Sequence, residues 1–244
     1  MDLIKPLNES RPHIYIFPGY YFVDNDEYYN YILTFMIWNV YFVAMMFLGC
    51  DMIMIYLVQH ACGLLAIAGY RFRHATDDVL PSQKGLRSSL NVKYRKLCLS
   101  IKSHNRAIEM INEIEKVYAV NLFLQVANAT YLFSVTLLLV ALRGFTMDTF
   151  LLAAYIPIQT IHVLFLTVQG QFVVNTNDYV YDMTYNALWY EEPVKFQALY
   201  VLALRRGLTP PVLTAGGLVP LNLDTFAEII KASVSYYMFL KSTE

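Results

Sequence analysis

Few residues in this sequence could do chemistry, and they lie far apart. The five histidines, His13, His60, His74, His104 and His162, are scattered, with no two at metal-ligand spacing. No Ser-centred nucleophile motif accompanies them, so the sequence points to no enzyme and to no cofactor. Cys50, Cys62 and Cys98 give no disulfide framework, and Cys50 and Cys62 sit in apolar surroundings as ordinary buried thiols. The telling groups are charges inside apolar stretches. Asp51 stands alone between the uncharged blocks 32–50 and 52–70, and Glu228 and Lys231 lie three apart on one face of a C-terminal helix. Within a bilayer such groups face protein or a water-filled path. That chemistry is the hosting of charge rather than the making of bonds.

The elements that must carry these residues follow from composition. The chain has 244 residues, of which 57% are hydrophobic and 15% charged, against about 25% charged in soluble domains. Residues 32–50, 52–70, 117–142 and 149–177 contain no Lys, Arg, Asp or Glu. A bilayer core of about 30 Å needs roughly 20 apolar helical residues, which these blocks can supply. They do not alternate as barrel strands would. The expected fold is therefore an all-α membrane protein with four transmembrane helices. Net charge is −1, which gives no footing for nucleic acid. No early apolar run with a cleavage site marks a signal peptide.

Residues 1–30 read as a polar, Tyr-rich extracellular loop in which Asn8-Glu9-Ser10 fits the N-glycosylation pattern. Residues 31–70 lack proline and any polar cluster, so they read as one long helix rather than a hairpin at Gly49-Cys50-Asp51. Residues 71–116 carry Arg71, Arg73, Lys84, Arg87, Lys93, Arg95, Lys96, Lys102, Arg106 and Lys116 out of 18 Lys and Arg. By the positive-inside rule this stretch is cytoplasmic. Leu97, Ile101, Ile108, Ile111 and Ile114 recur at roughly helical spacing, so its second half is an amphipathic helix running into the next span, 117–142. The next span, 149–177, contains Pro157 and His162.

Residues 178–222 are polar and then repeatedly broken by Pro210-Pro211, Gly216-Gly217 and Pro220. Asn222 is suited to cap the last helix, 223–241, with Asp224 in its first turn. Four spans leave both ends outside, with no apolar segment to lead residues 1–30 across. The expectation is that further spans precede this chain.

The order and spacing of several motifs resemble the C-terminal signature of insect odorant receptors. They are Tyr185-Asn186-Ala187-Leu188-Trp189-Tyr190, then Pro193 and Lys195-Phe196, then Pro211-Val212-Leu213-Thr214-Ala215-Gly216-Gly217, then Leu221-Asn222-Leu223-Asp224-Thr225-Phe226, and Lys231-Ala232-Ser233-Val234-Ser235-Tyr236-Tyr237. Upstream, Asp51, His60, Cys62, Gly63 and His104 fit as well, although Leu64 stands where the family often has glutamine. The resemblance implies segments four to seven of a seven-helix fold, with cytoplasmic helical extensions forming an anchor domain over 178–222. It implies an odour-tuned subunit of a ligand-gated, non-selective cation channel in the plasma membrane, assembled as a heterotetramer with a co-receptor subunit. The short loop between segments four and five resembles that of a tuning subunit.

What the resemblance implies can be placed on residues of this chain. The last helix becomes the pore helix, with Ser235, Phe239, Ser242 and Thr243 on its pore and gate face. Packing of Phe239 against segment five or six competes with that role, as a Glu228–Lys231 salt bridge competes with pore lining by those two charges. The odorant pocket lies in the outer leaflet, where small volatiles meet apolar walls with few polar anchors. Its candidates are Phe35, Trp38 and Phe42 on segment four and Tyr155, Gln159 and His162 on segment six, each of which ordinary helix packing would also explain. Trp189, Tyr190, Lys195 and Phe196 belong to the anchor interface, or, for the first two, to the lipid headgroup boundary. Asp51 is either functional or a partnered structural group. A gustatory receptor shares this fold but ends in a different signature. A secondary transporter would need an internal repeat and a second broken helix, which the sequence lacks.

Overall fold

The computed structural model describes residues 23–24, 27–77, 86–143 and 147–242. Five helices dominate: α1 (Tyr29–Arg73), α2 (Leu86–Arg143), α3 (Met147–Tyr185), α4 (Val194–Gly207) and α5 (Leu223–Ser242). A 3-10 turn, Trp189–Glu191, precedes α4, and a two-stranded hairpin, β1 (Thr214–Ala215) and β2 (Val219–Pro220), precedes α5. Helix α1 has 45 residues and no break at Gly49-Cys50-Asp51. Helix α2 has 58 residues and runs from the basic stretch through the uncharged block 117–142. Helix α3 continues through Pro157.

Among the described residues three helical stretches are long and apolar enough to cross a membrane: Tyr29–Arg73, Leu90–Leu142 and Ala153–Glu191. Helix α5 is not among them. Its 20 residues reach about 30 Å at 1.5 Å each, which is long enough. Asp224, Glu228, Lys231 and Lys241 make it too charged to qualify by composition. Of the four expected spans, three therefore meet the length and composition of a crossing among the described residues.

The chain divides into two compact units, Met1–Ile53 and Met54–Glu244. In the first, Ile32 and Met36 are buried one turn apart, while Tyr31, Phe35 and Trp38 are exposed. Thr34 and Asn39 turn their side chains back onto the carbonyls of Asn30 and Phe35, at 2.8 Å each, so their polar groups stay within the helix.

The second unit holds the main core. From α1 it takes Met54, Val58, Ala61, Cys62, Leu65 and Phe72, spaced three, four and seven apart on one stripe. These meet Leu97, Ile108 and Ile111 of α2, Val173 and Val180 of α3, and Phe196 and Tyr200 of α4. Tyr200 is fully buried, and its hydroxyl donates to the Phe72 carbonyl at 2.8 Å. Burial pushes the Tyr200 phenol above its ordinary value, and the carboxylates of Glu192 and Asp77 act in the same direction against a hydrogen bond to Thr76.

The hairpin turns through Gly216 and Gly217, whose φ angles of 68° and 72° lie in the left-handed region that glycine adopts without a Cβ penalty. Thr214 pairs with Pro220 and Ala215 with Val219, and the Leu221 N–H donates to the Leu213 carbonyl at 2.9 Å. Sequence reading treats these prolines and glycines as breaks. Two-residue strands give no alternating pattern from which a hairpin could be read.

Candidate functional site

Helix α5 begins on a built cap. Asn222 Oδ1 accepts from the Thr225 N–H at 2.7 Å and from the Thr225 hydroxyl at 2.8 Å, and that hydroxyl also reaches the Pro220 carbonyl at 2.6 Å. Helix α5 then presents two faces. Thr225, Ile229 and Ser233 recur every four residues and are buried, with Ile229 packed with Ala129 of α2 and Val163 of α3. Glu228, Lys231, Ser235, Phe239 and Ser242 lie on an exposed face, with Phe239 at 60% exposure. The Ser242 hydroxyl donates to the Phe239 carbonyl at 2.7 Å. Among the described residues Glu228 and Lys231 form no salt bridge with each other, which corrects that expectation. Both side chains point away from the packed face instead.

The base of α5 is held from two sides. On α2, Glu115 accepts a short 2.5 Å hydrogen bond from the Thr214 hydroxyl, and the Ala119 carbonyl accepts from the Gly216 N–H at 2.8 Å. On α3, a Cβ at Gly170 would lie 1.9 Å from the Leu221 carbonyl oxygen, so only glycine allows the two backbones to cross so closely. Gln171 Oε1 accepts from the Leu223 N–H at 3.4 Å. Thr214, Gly216, Leu221 and Leu223 fall within the signature motifs, whereas Glu115, Ala119, Gly170 and Gln171 do not stand out in the sequence.

Of the four anchor residues, Lys195 and Phe196 pack on Tyr94 near the start of α2. Lys195 Nζ sits 4.5 Å from the centroid of the Tyr94 ring, a cation–π contact, and Phe196 meets that ring edge-on at 5.8 Å. Trp189 donates its indole N–H to the Tyr185 carbonyl at 3.2 Å and meets the exposed Tyr190 ring edge-on. Gln197 Nε2 donates to the Tyr190 and Glu192 carbonyls at 3.1 and 2.9 Å. Beneath them Lys93 Nζ and Glu192 Oε1 pair at 2.9 Å. Sequence reasoning counts Lys93 only among the basic residues of 71–116 and gives Tyr94 and Glu192 no role. The apolar recurrence through Leu97 and Ile101 is the signal that extends back to Tyr94.

The pocket candidates fall on two helices. Phe35, Trp38 and Phe42 belong to the first unit and form an exposed aromatic stripe on α1. Tyr155, Gln159 and His162 belong to the second and share a face of α3, where Tyr155 is 40% exposed, Gln159 buried and His162 half-buried. Asp51 is buried. Asn8 and Thr243 lie outside the described residues, as do residues 1–22 of the expected loop and 78–85 of the basic stretch.

Two surface grooves, of about 740 and 520 Å³, run between the last turns of α1 and residues 96–113 in the first half of α2. Arg71 lies in both and donates to the Ser103 hydroxyl at 2.7 Å. Neither is lined by Tyr155, Gln159 or His162. Among the described residues no group of His, Cys, Asp and Glu is placed to hold a metal ion.

The family model described as "7tm Odorant receptor" matches residues 4–234. Among solved structures, the chain is similar to the insect olfactory receptor OR5 from Machilis hrabei in complex with eugenol. The TM-score is 0.64 at 14% identity, covering 87% of this chain and 54% of that one. At that identity the likeness concerns the fold. The chain spans about half the length of the structure it matches.

Proposed function

Since the chain belongs to the 7tm odorant receptor family, we propose that it forms the odour-tuned subunit of a ligand-gated, non-selective cation channel, working in a heterotetramer with a co-receptor subunit. The observation that carries this reading is the two-faced character of α5. One face is packed against α2 and α3, while the other offers Ser235, Phe239 and Ser242 beside Glu228 and Lys231. A helix of that kind among apolar spans suits a water-filled path. In this reading α5 is the fourth crossing, Phe239 narrows the path by apolar contact, and residues 178–222 form the cytoplasmic anchor. The basic stretch 71–116 is cytoplasmic, and the first described residues and the end of α5 are extracellular.

The ligand class is a small, largely apolar volatile. The matched receptor's structure holds eugenol, and for this chain we assign ligand contact to Tyr155, Gln159 and His162 on α3, with Phe35, Trp38 and Phe42 kept as separate candidates on α1. Burial supplies about 25 cal/mol per Å² of apolar area, so a small odorant binds modestly and few polar anchors set its orientation. The test is co-expression with a co-receptor subunit and recording of odour-evoked cation current. A current that requires both subunits and carries Na⁺ and K⁺ alike is expected. Responses identical to those of the co-receptor alone would overturn the assignment.

A further inference from the structure

Two contacts hold α5 in different ways. Its base is fixed by main-chain geometry. The Gly170–Leu221 crossing leaves no space between the backbones, and the Gly216 N–H is committed to the Ala119 carbonyl. Higher up, a buried polar contact joins α5 to α2. The Ser134 hydroxyl lies 3.0 Å from the Ser233 carbonyl of α5 and 2.8 Å from the Thr130 carbonyl of its own helix. Both serines are buried, Ser134 completely.

A serine hydroxyl has one proton to donate and here has two acceptors within reach. Losing the α5 contact therefore leaves no buried donor unsatisfied, because the proton passes to Thr130 within α2. The Ser233 carbonyl is likewise left with its place in the α5 hydrogen-bond ladder, and the Ser233 hydroxyl is already turned back to the Ile229 carbonyl at 2.8 Å. Parting the helices at this level thus avoids the penalty of an unpaired group in an apolar setting. The contact can be made and released at low cost, unlike those at the base.

The direction of its effect follows from the faces of α5. Ser233 lies on the packed side, opposite the exposed face of Ser235 and Phe239. A bond from Ser134 to Ser233 draws α5 back toward α2 and away from whatever the exposed face borders. Resting on the channel reading above, we propose that Ser134 is a positioning residue for conduction: its hydroxyl holds the pore helix retracted against α2 and so favours the open pore. Interhelical hydrogen bonds in membrane proteins average about 0.6 kcal/mol, which corresponds to a factor of about three in an equilibrium.

Ser134→Ala removes the donor, whereas Ser233→Ala leaves the main-chain acceptor in place and makes a comparable packing change on the same contact. Each variant is expressed with the co-receptor subunit, and odorant dose–response, maximal current per surface receptor and reversal potential are recorded. The expected result for Ser134→Ala is a rightward shift or a loss of maximal current of about threefold, with an unchanged reversal potential. Ser233→Ala should match the unmodified chain. An unchanged Ser134→Ala response, the same shift in both variants, or an increased standing current in Ser134→Ala would each overturn the proposal. Absence of any odour current from the unmodified chain would instead overturn the channel reading, and this proposal with it.

Discussion

Lys93 and Glu192, 99 positions apart, close an ion pair of 2.9 Å that ties the start of α2 to the turn before α4. Their side chains are only 13% and 11% exposed, so neither charge can fall back fully on water if its partner is lost. Breaking a buried pair leaves a poorly solvated charge and typically costs about 3–5 kcal/mol, and the residual exposure places this pair toward the lower end. Lys93→Ala and Glu192→Ala should each lower the thermal unfolding midpoint in detergent. Lys93→Met combined with Glu192→Leu should recover most of the loss. If the double variant is as unstable as the sum of the singles, the pair is not the reason.

Tyr200 gives a second test. Tyr200→Phe keeps the ring in the core and removes the hydroxyl's hydrogen bonds to the Phe72 carbonyl, which also accepts from the Ala75 N–H, and to Thr76. The loss should be about 1 kcal/mol. Tyr200→Ala should cost about 3–5 kcal/mol through the cavity it leaves. Because burial raises the phenol's folded-state value, the neutral form favours folding, and its contribution is present at neutral pH. That contribution is lost as pH rises past the ordinary phenol value near 10. The stability difference between the native chain and Tyr200→Phe should shrink in that range in alkaline unfolding titrations.

The two hairpin glycines should respond unequally. Both have positive φ, so alanine at either costs about 1–2 kcal/mol of backbone strain. A Cβ at Gly217 meets open space, while one at Gly216 comes within 3.2 Å of the Phe123 side chain. Gly216→Ala should therefore reduce surface expression more than Gly217→Ala. Equal losses in a surface-labelling assay would mean that the hairpin does not dock on Phe123.

The proposed ligand and gate residues are separable by electrophysiology. Tyr155→Ala should shift odorant dose–response curves and leave reversal potential alone, since the residue is assigned to the pocket. Phe239→Ala should raise current in the absence of odorant or alter relative cation permeability, with little change in apparent affinity. Unmoved dose–response curves for Tyr155→Ala would remove it from the pocket, and an unchanged leak and permeation for Phe239→Ala would remove it from the gate.

Charge and hydropathy made the long helices legible, because an uncharged run of 26 residues such as 117–142 has few alternatives to a helix in a bilayer. Their ends were less so. Helix α2 begins at Leu86 because the apolar stripe through Leu97, Ile101 and Ile108 continues below the uncharged block, with charges filling the opposite face. The cap at Asn222 was readable, being local to four residues. The hairpin was visible only as a cluster of breakers. The contacts that hold α5 were invisible, since Glu115 meets Thr214 and Ser134 meets Ser233 across 99 positions each, and Gly170 carries no side chain to announce its role.

Those same separations set an order of events during synthesis. Helix α5 makes its defining contacts with residues made long before it. At about 5–20 residues per second, roughly 5–20 s pass between the emergence of Glu115 or Ser134 and that of its partner. Once α3 has followed α2, the groove on the two helices that receives the hairpin stands empty until the last helix is made, and that helix must find it post-insertion. Cellular quality control thus has a window in which α2 and α3 await their final neighbour, and substitutions at Gly170 or Gly216 should prolong it.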